Sequence, residues 1–109
     1  MSNNQILTFN SEFTPNPVHP GRTLAAELKA RNISQKLFHE IIKTPPNSII
    51  EIIRGRIGIS PEMALRLGHY FGTGPLFWWN LQKDYELNTA ILNCKDRIEK
   101  EIKPYEKIT

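Results

Sequence analysis

The chain has 109 residues, 39% of them apolar and 23% charged, with a formal net charge of +3. That length and composition suit one small globular domain and exclude a fibrous or wholly disordered chain. No apolar run approaches the ~18 residues that cross a bilayer, and the opening MSNNQ lacks the basic-then-apolar pattern of an export signal, so a soluble cytoplasmic protein is expected.

Cys94 is the single cysteine, which leaves no intramolecular disulfide and no metal site built on cysteine pairs. The charge is uneven: residues 1–74 carry eight Lys/Arg against five Asp/Glu, whereas residues 75–109 carry six of each. A basic surplus in the first part of the chain agrees with a nucleic-acid partner there.

Residues 1–18 hold Ile6, Leu7 and Phe9 and then Pro15 and Pro17 without a helical period, so an irregular arm is expected. After His19-Pro20-Gly21, the residues Leu24, Ala25 and Leu28 give a helical face running to about Arg31, closed by Asn32. Ile33 then makes a hydrophobic contact before Ser34 caps the next helix.

From Ser34 to Ile59 the spacing predicts two short amphipathic helices. Leu37, Phe38, Ile41 and Ile42 form one apolar face, and Ile49, Ile50, Ile52 and Ile53 form the other. Helix cannot run through Pro45-Pro46, because neither supplies a backbone N–H and each disfavours helical geometry in the residue before it. Thr44 can cap the second helix, with a proline at its first position. Helices joined by so short a turn cross steeply, which is the helix-turn-helix geometry that seats a second helix in the major groove of DNA. Asn47, Ser48 and Glu51 point away from the Ile49, Ile52 and Ile53 face, as reading residues should. Lys43, Arg54 and Arg56 flank the ends of that helix, and Gln35 and Lys36 begin the preceding one, all where phosphates would pass. The competing reading is an ordinary solvated helix face with basic residues complementing helix dipoles.

Arg54-Gly55-Arg56 is a helix stop, and Ser60-Pro61-Glu62 starts another helix, with a hydroxyl at the cap, proline at the first position and a carboxylate in the first turn. Met63, Ala64, Leu67, Tyr70 and Phe71 form its inner face until Gly72. Gly74-Pro75 opens a last, longer helix that Pro104 ends near Lys103 at the latest, leaving a short tail over 104–109. At about 100° per residue, Phe77, Trp78, Leu81 and Tyr85 share one side of this helix, and Leu76, Trp79, Leu87, Ala90, Cys94 and Ile98 share nearly the opposite side. One stripe closes the core and the other needs a partner. That partner is a second copy of the chain, the Ile6, Leu7 and Phe9 arm folding back, or another protein.

His19, His39 and His69 are too scattered for a metal site, and no metal or cofactor is expected. Trp78 and Trp79 could stack bases, but beside Leu81 and Tyr85 they read as core and interface. No glycine-rich phosphate loop, nucleophile elbow or paired acid/base signature is present, so no catalytic residue and no enzyme activity are expected.

From His19 to about Ala90 the residues resemble the HigA antitoxins, also described as virulence-associated protein I, within the Xre or Cro/C1-type helix-turn-helix group. His19-Pro20-Gly21 is similar to that family's opening HPG, Ser34-Gln35 to the start of its second helix, and I-I-E-I-I-R-G, ending at Gly55, to its I-x-E-I-L-N-G. Ala64-Leu65-Arg66-Leu67, Gly72-Thr73, Pro75, Phe77-Trp78, Asn80-Leu81-Gln82 and Tyr85 resemble its ALRLA…GTSPEFWLNLQxxYDL run. The resemblance implies an all-α, compact five-helix bundle of the lambda-repressor-like type, spanning residues 19–103. It implies a homodimer that binds double-stranded operator DNA to repress its own operon, and that neutralises a RelE-like, HigB-type mRNA-cleaving toxin. The chain departs from the family pattern at His39, at Lys43 where a turn glycine is usual, and at Pro45, Pro46 and Ile50. With no arginine inside the reading helix, the bidentate grip on guanine is not available from Asn47 or Ser48. A stand-alone regulator without a toxin, or an interaction module whose helix-turn-helix has lost DNA, are the alternatives.

Overall fold

The computed structural model describes residues 16–106, which form five helices and no strand. They are α1 (Pro20–Ala30), α2 (Phe38–Ile42), α3 (Ser48–Ile53), α4 (Pro61–Phe71) and α5 (Pro75–Glu101). The expected arm up to Pro15, with Ile6, Leu7 and Phe9, and the tail from Lys107 lie outside the described residues.

Residues Pro17–Glu86 form one compact unit. Its helices meet over Leu24 and Leu28 of α1, Phe38 and Ile42 of α2, Ile49 and Ile52 of α3, Met63, Ala64 and Leu67 of α4, and Trp78 of α5, all buried. The spacing of three or four within each helix puts these side chains on one face, and each large one contributes about 1.5–3 kcal/mol by leaving water. Phe38 lies edge-on to Tyr70 with centroids 5.3 Å apart, and Phe71 stacks at a tilt between Phe38 (5.8 Å) and Trp78 (5.6 Å). From Leu87 onward the chain belongs to a second unit. Its helical part carries two ion pairs at helical spacing, Lys95–Glu99 at 2.9 Å and Arg97–Glu101 at 3.9 Å.

α4 begins as expected, and α1 begins inside the His19-Pro20-Gly21 punctuation. His19 caps α1 by accepting the Gly21 N–H on Nδ1 at 2.9 Å, and Ser60 Oγ accepts the Met63 N–H at 3.1 Å. Each helix has a proline in its first turn, where a missing N–H is harmless. Asn32 has φ 58, which closes the first helix as its short polar side chain permits.

Three expectations are corrected. α2 is only five residues long, so its buried face holds Phe38 and Ile42 alone, while Leu37 is 52% and Ile41 47% exposed. Tyr70 is 41% exposed rather than immersed in the core, packing in a T-shaped pair with Phe38. Trp79, on the stripe opposite the core, is half-buried against it. α5 stops at Glu101, within the expected limit near Lys103.

Candidate nucleic-acid interface

Helices of five and six residues do not persist in water by themselves, so the α2–α3 unit is held by what surrounds it. Gly21 is one support. A Cβ at Gly21 would overlap the Ile52 carbonyl oxygen, so only glycine lets the start of α1 lie against the end of α3. Arg66 of α4 is another. Its Nη1 donates to the Ile42 carbonyl at 2.8 Å, while Nη2 is fixed by Glu62 Oε2 at 2.9 Å. That hydrogen bond satisfies a carbonyl at the C-terminus of α2, where the helix offers no partner of its own.

The chain turns at Lys43, whose φ of 61 is left-handed, and the Thr44 N–H closes the turn on the His39 carbonyl at 3.0 Å. The expected Thr44 cap does not form. α3 begins at Ser48 after Asn47, with no side-chain cap bond, and both prolines sit in the turn rather than at the first helical position. The Pro45 carbonyl accepts both the Ser48 N–H (3.1 Å) and the Ser48 hydroxyl (2.8 Å), so the turn itself satisfies the helix start. Thr44 Oγ1 is buried without a hydrogen-bond partner.

On the outer side of α2 and α3, Lys36, Leu37, His39, Pro46, Asn47, Ile50 and Arg54 line an open groove of about 400 Å³. Asn47, Ile50 and Arg54 fall at i, i+3 and i+7, one stripe of a helix. The groove brings together Lys36, Asn47 and Arg54 of the expected DNA-binding residues, and no carboxylate lines it. Gln35 is exposed in the turn ahead of α2. Lys43 and Thr44 line a different, smaller recess of about 180 Å³ with Ser60 and Arg66. Glu51 is half-buried and faces Arg56, with 3.6 Å between Oε2 and Nη1, and Ser48 is engaged with Pro45.

The loop after α3 is pinned from two sides. Gly55 leaves the helix at φ 76, a conformation that suits glycine. The His19 ring lies against the loop at Gly55 and packs edge-on to Tyr85 at 4.9 Å. Burial holds the His19 pKa below its ordinary value, against the opposing pull of the Ile57 backbone. Gln82, only 5% exposed, accepts the Ile59 N–H on Oε1 at 2.7 Å and donates from Nε2 to Glu86 at 2.8 Å. The sequence reading did not single out Gln82, His19 or Arg66 as supports of this unit. For Gln82 the signal was there: it lies four residues after Trp78, a polar residue on the core stripe.

Of the residues expected to meet a second copy, Leu76 is 66% and Leu87 56% exposed, Ala90 and Ile98 are exposed, and Trp79 and Cys94 are half-buried. Among the described residues no group of three His, Cys, Asp or Glu could hold a metal ion, and no helix is long and apolar enough to cross a membrane.

The chain is similar to proteins with this architecture. Virulence-associated protein I of Dichelobacter nodosus is 38% identical over 74 residues, 67% of this chain and 68% of that protein. An addiction module antidote protein of the HigA family from Coxiella burnetii superposes with a TM-score of 0.78 at 38% identity, covering 83% of this chain and 99% of that one. The Pseudomonas aeruginosa antitoxin HigA, solved with the higBA promoter, gives a TM-score of 0.80 at 40% identity, over 84% and 100% of the two chains. No protein-family model matches the chain.

Proposed function

The chain belongs to the HigA antitoxin family of helix-turn-helix DNA-binding regulators, and on that premise we propose that it binds the operator of its own operon as a homodimer and neutralises a RelE-like, HigB-type toxin in the cytoplasm. The observation that carries the DNA reading is the groove over α2 and α3, whose lining includes Lys36, Asn47 and Arg54 and no carboxylate. A duplex presents phosphates that Lys36 and Arg54 would neutralise and base edges that Asn47 would meet. Gln35, Lys43 and Arg56, outside the groove lining, are proposed as phosphate contacts, whereas the Thr44 hydroxyl is buried, Ser48 is engaged with the Pro45 carbonyl and Glu51 acts only by holding Arg56. The toxin reading is supported by the relatives, named as antitoxin and antidote proteins.

The dimer contact is assigned to the α5 stripe of Leu76, Trp79, Leu87, Ala90, Cys94 and Ile98. Two copies joined there read a palindrome if their α3 helices stand about one turn of DNA apart, ~34 Å.

The test is binding of the purified protein to its own promoter across a salt series. With roughly four to six phosphate contacts per dimer, log affinity falls against log salt with a slope of about −4 to −5, and Arg54→Ala with Arg56→Ala flattens it. Salt-independent or absent binding refutes the DNA reading. Sedimentation decides the dimer: a wild-type monomer at micromolar concentration, or a Leu87→Glu variant that stays dimeric, removes the stripe as the interface. Co-expression with a small toxin-like product of the adjacent reading frame should restore growth and yield a co-purifying complex; failure of both rejects neutralisation.

A further inference from the structure

We propose that the groove over α2 and α3 reads thymine through its 5-methyl group, with Ile50 as the specificity-determining residue and Leu37 and Pro46 completing the apolar surface. The inference rests on the operator binding proposed above and adds what is read there. Three observations converge on it.

First, the reading helix has nothing with which to grip guanine. Within Ser48–Ile53 there is no arginine or lysine, and the sequence runs Ser-Ile-Ile-Glu-Ile-Ile. Its one carboxylate, Glu51, faces Arg56 rather than the groove. Within the helix itself the side chains suited to guanine and cytosine edges are therefore absent or turned aside, and the cations of the groove, Lys36 and Arg54, lie outside it.

Second, the groove carries an apolar patch, Leu37, Pro46 and Ile50, among its polar lining residues Lys36, His39, Asn47 and Arg54. Ile49 and Ile52 supply the buried face of α3, yet Ile50 is left at the groove, where Leu37 and Pro46 join it. Leu37 is more than half exposed although α2 has a core to face. Exposed aliphatic groups between basic ones do not help a protein meet phosphates. In the major groove they have one good partner, the thymine methyl, which only an A·T pair offers.

Third, the polar neighbour agrees. Asn47 lies one helical turn before Ile50 on the same stripe, and an asparagine amide pairs with the N6 and N7 atoms of adenine. Lys36 and Arg54 line the same groove; holding the flanking phosphates, they would set the depth at which Ile50 meets the base edge. Asn47 and Ile50 together thus specify A·T pairs in each half-site.

The experiment compares two synthetic duplexes of the protein's own promoter, one with natural thymine and one with deoxyuridine in every thymine position. Pairing, sequence and phosphate number are unchanged; only the methyl groups are lost. Each buried methyl is a factor of about four, so one contact in each of two half-sites gives a preference for the thymine duplex of about fifteen-fold. The salt slope should be the same on both. In Ile50→Asn, a polar side chain of similar size, the preference should vanish. Leu37→Gln, on the exposed wall, should reduce it partly and does not touch the core.

Equal wild-type affinity for the two duplexes overturns the proposal while leaving operator binding in place. A preference that survives in both Ile50→Asn and Leu37→Gln places the methyl contacts elsewhere and also overturns it. If wild type binds neither duplex in a salt-dependent way, it is the operator reading that has failed. Since the first comparison uses wild-type protein, it stands even if a variant does not fold.

Discussion

α1 and α4 differ from α2 and α3 in where their stability comes from. The first two are 11 residues each, start with a proline and a side-chain cap, and bury a regular stripe. The others are five and six residues and have no side-chain cap bond at their N-termini. The scaffold helices are thus specified largely by their own sequence, whereas the helix-turn-helix unit takes its shape from its surroundings: the Gly21 contact, the Arg66 hydrogen bond, the pinned loop and the core. A reading unit held this way is sensitive to residues that never approach DNA.

The largest expected effect comes from removing the contact between α1 and α3. Gly21→Ala drives a Cβ into the Ile52 carbonyl, so it should destabilise the fold by about 1–3 kcal/mol, the usual range for overpacking a close contact. Thermal unfolding measures this, and operator affinity should fall alongside. An unchanged melting temperature would mean that α1 and α3 are not locked together there.

Next is Arg66→Met, which keeps the aliphatic stem but leaves the Ile42 carbonyl without its donor. A hydrogen bond to a charged group supports an expected loss of about 1.5–3 kcal/mol. The Glu62 pair adds little, since Glu62 is exposed. Glu62→Gln should therefore be nearly silent. If it matches Arg66→Met, the ion pair rather than the carbonyl clamp carries the effect.

Lys43→Gly sharpens the comparison in the opposite direction. Lys43 holds φ 61, costly for a residue with a Cβ, while glycine adopts it freely but loses more entropy on folding. The net expectation is a gain of about 0.5 kcal/mol in chemical denaturation. If Lys43 also meets a phosphate, the salt slope of the dimer becomes shallower by about two units, one for each copy. A loss of stability would contradict the strain at this turn.

The smallest effect is one of pH. Burial lowers the folded pKa of His19, so the unfolded chain takes up the proton first as pH falls. The stability from its neutral form is fully present above its unfolded pKa of 6.5, and is lost as pH falls below that through the folded value. Protonating Nδ1 would also remove the acceptor for Gly21 N–H. His19→Asn, which retains a capping side chain without titrating, should flatten the dependence of melting temperature on pH in that window. A curve as steep as wild type would assign the acid sensitivity to another group.

The sequence by itself determined the helical class, the break at Pro45-Pro46, the starts at His19-Pro20 and Ser60-Pro61, and the stop at Gly55. Each is a local matter of backbone donors, caps and allowed φ that neighbouring residues settle. Only the tertiary structure decided that Thr44 does not cap, that Leu37 and Ile41 face outward, and that Lys36, Asn47 and Arg54 share a groove while Ser48 and Glu51 are engaged elsewhere. It also disclosed Gly21, Arg66 and Gln82 as supports, through the Ile52, Ile42 and Ile59 backbones. The physical reason is range. A cap or a proline acts within one turn of its own chain, whereas the face a five-residue helix buries is chosen by whatever packs against it, and those partners lie some 20 or more residues away in sequence.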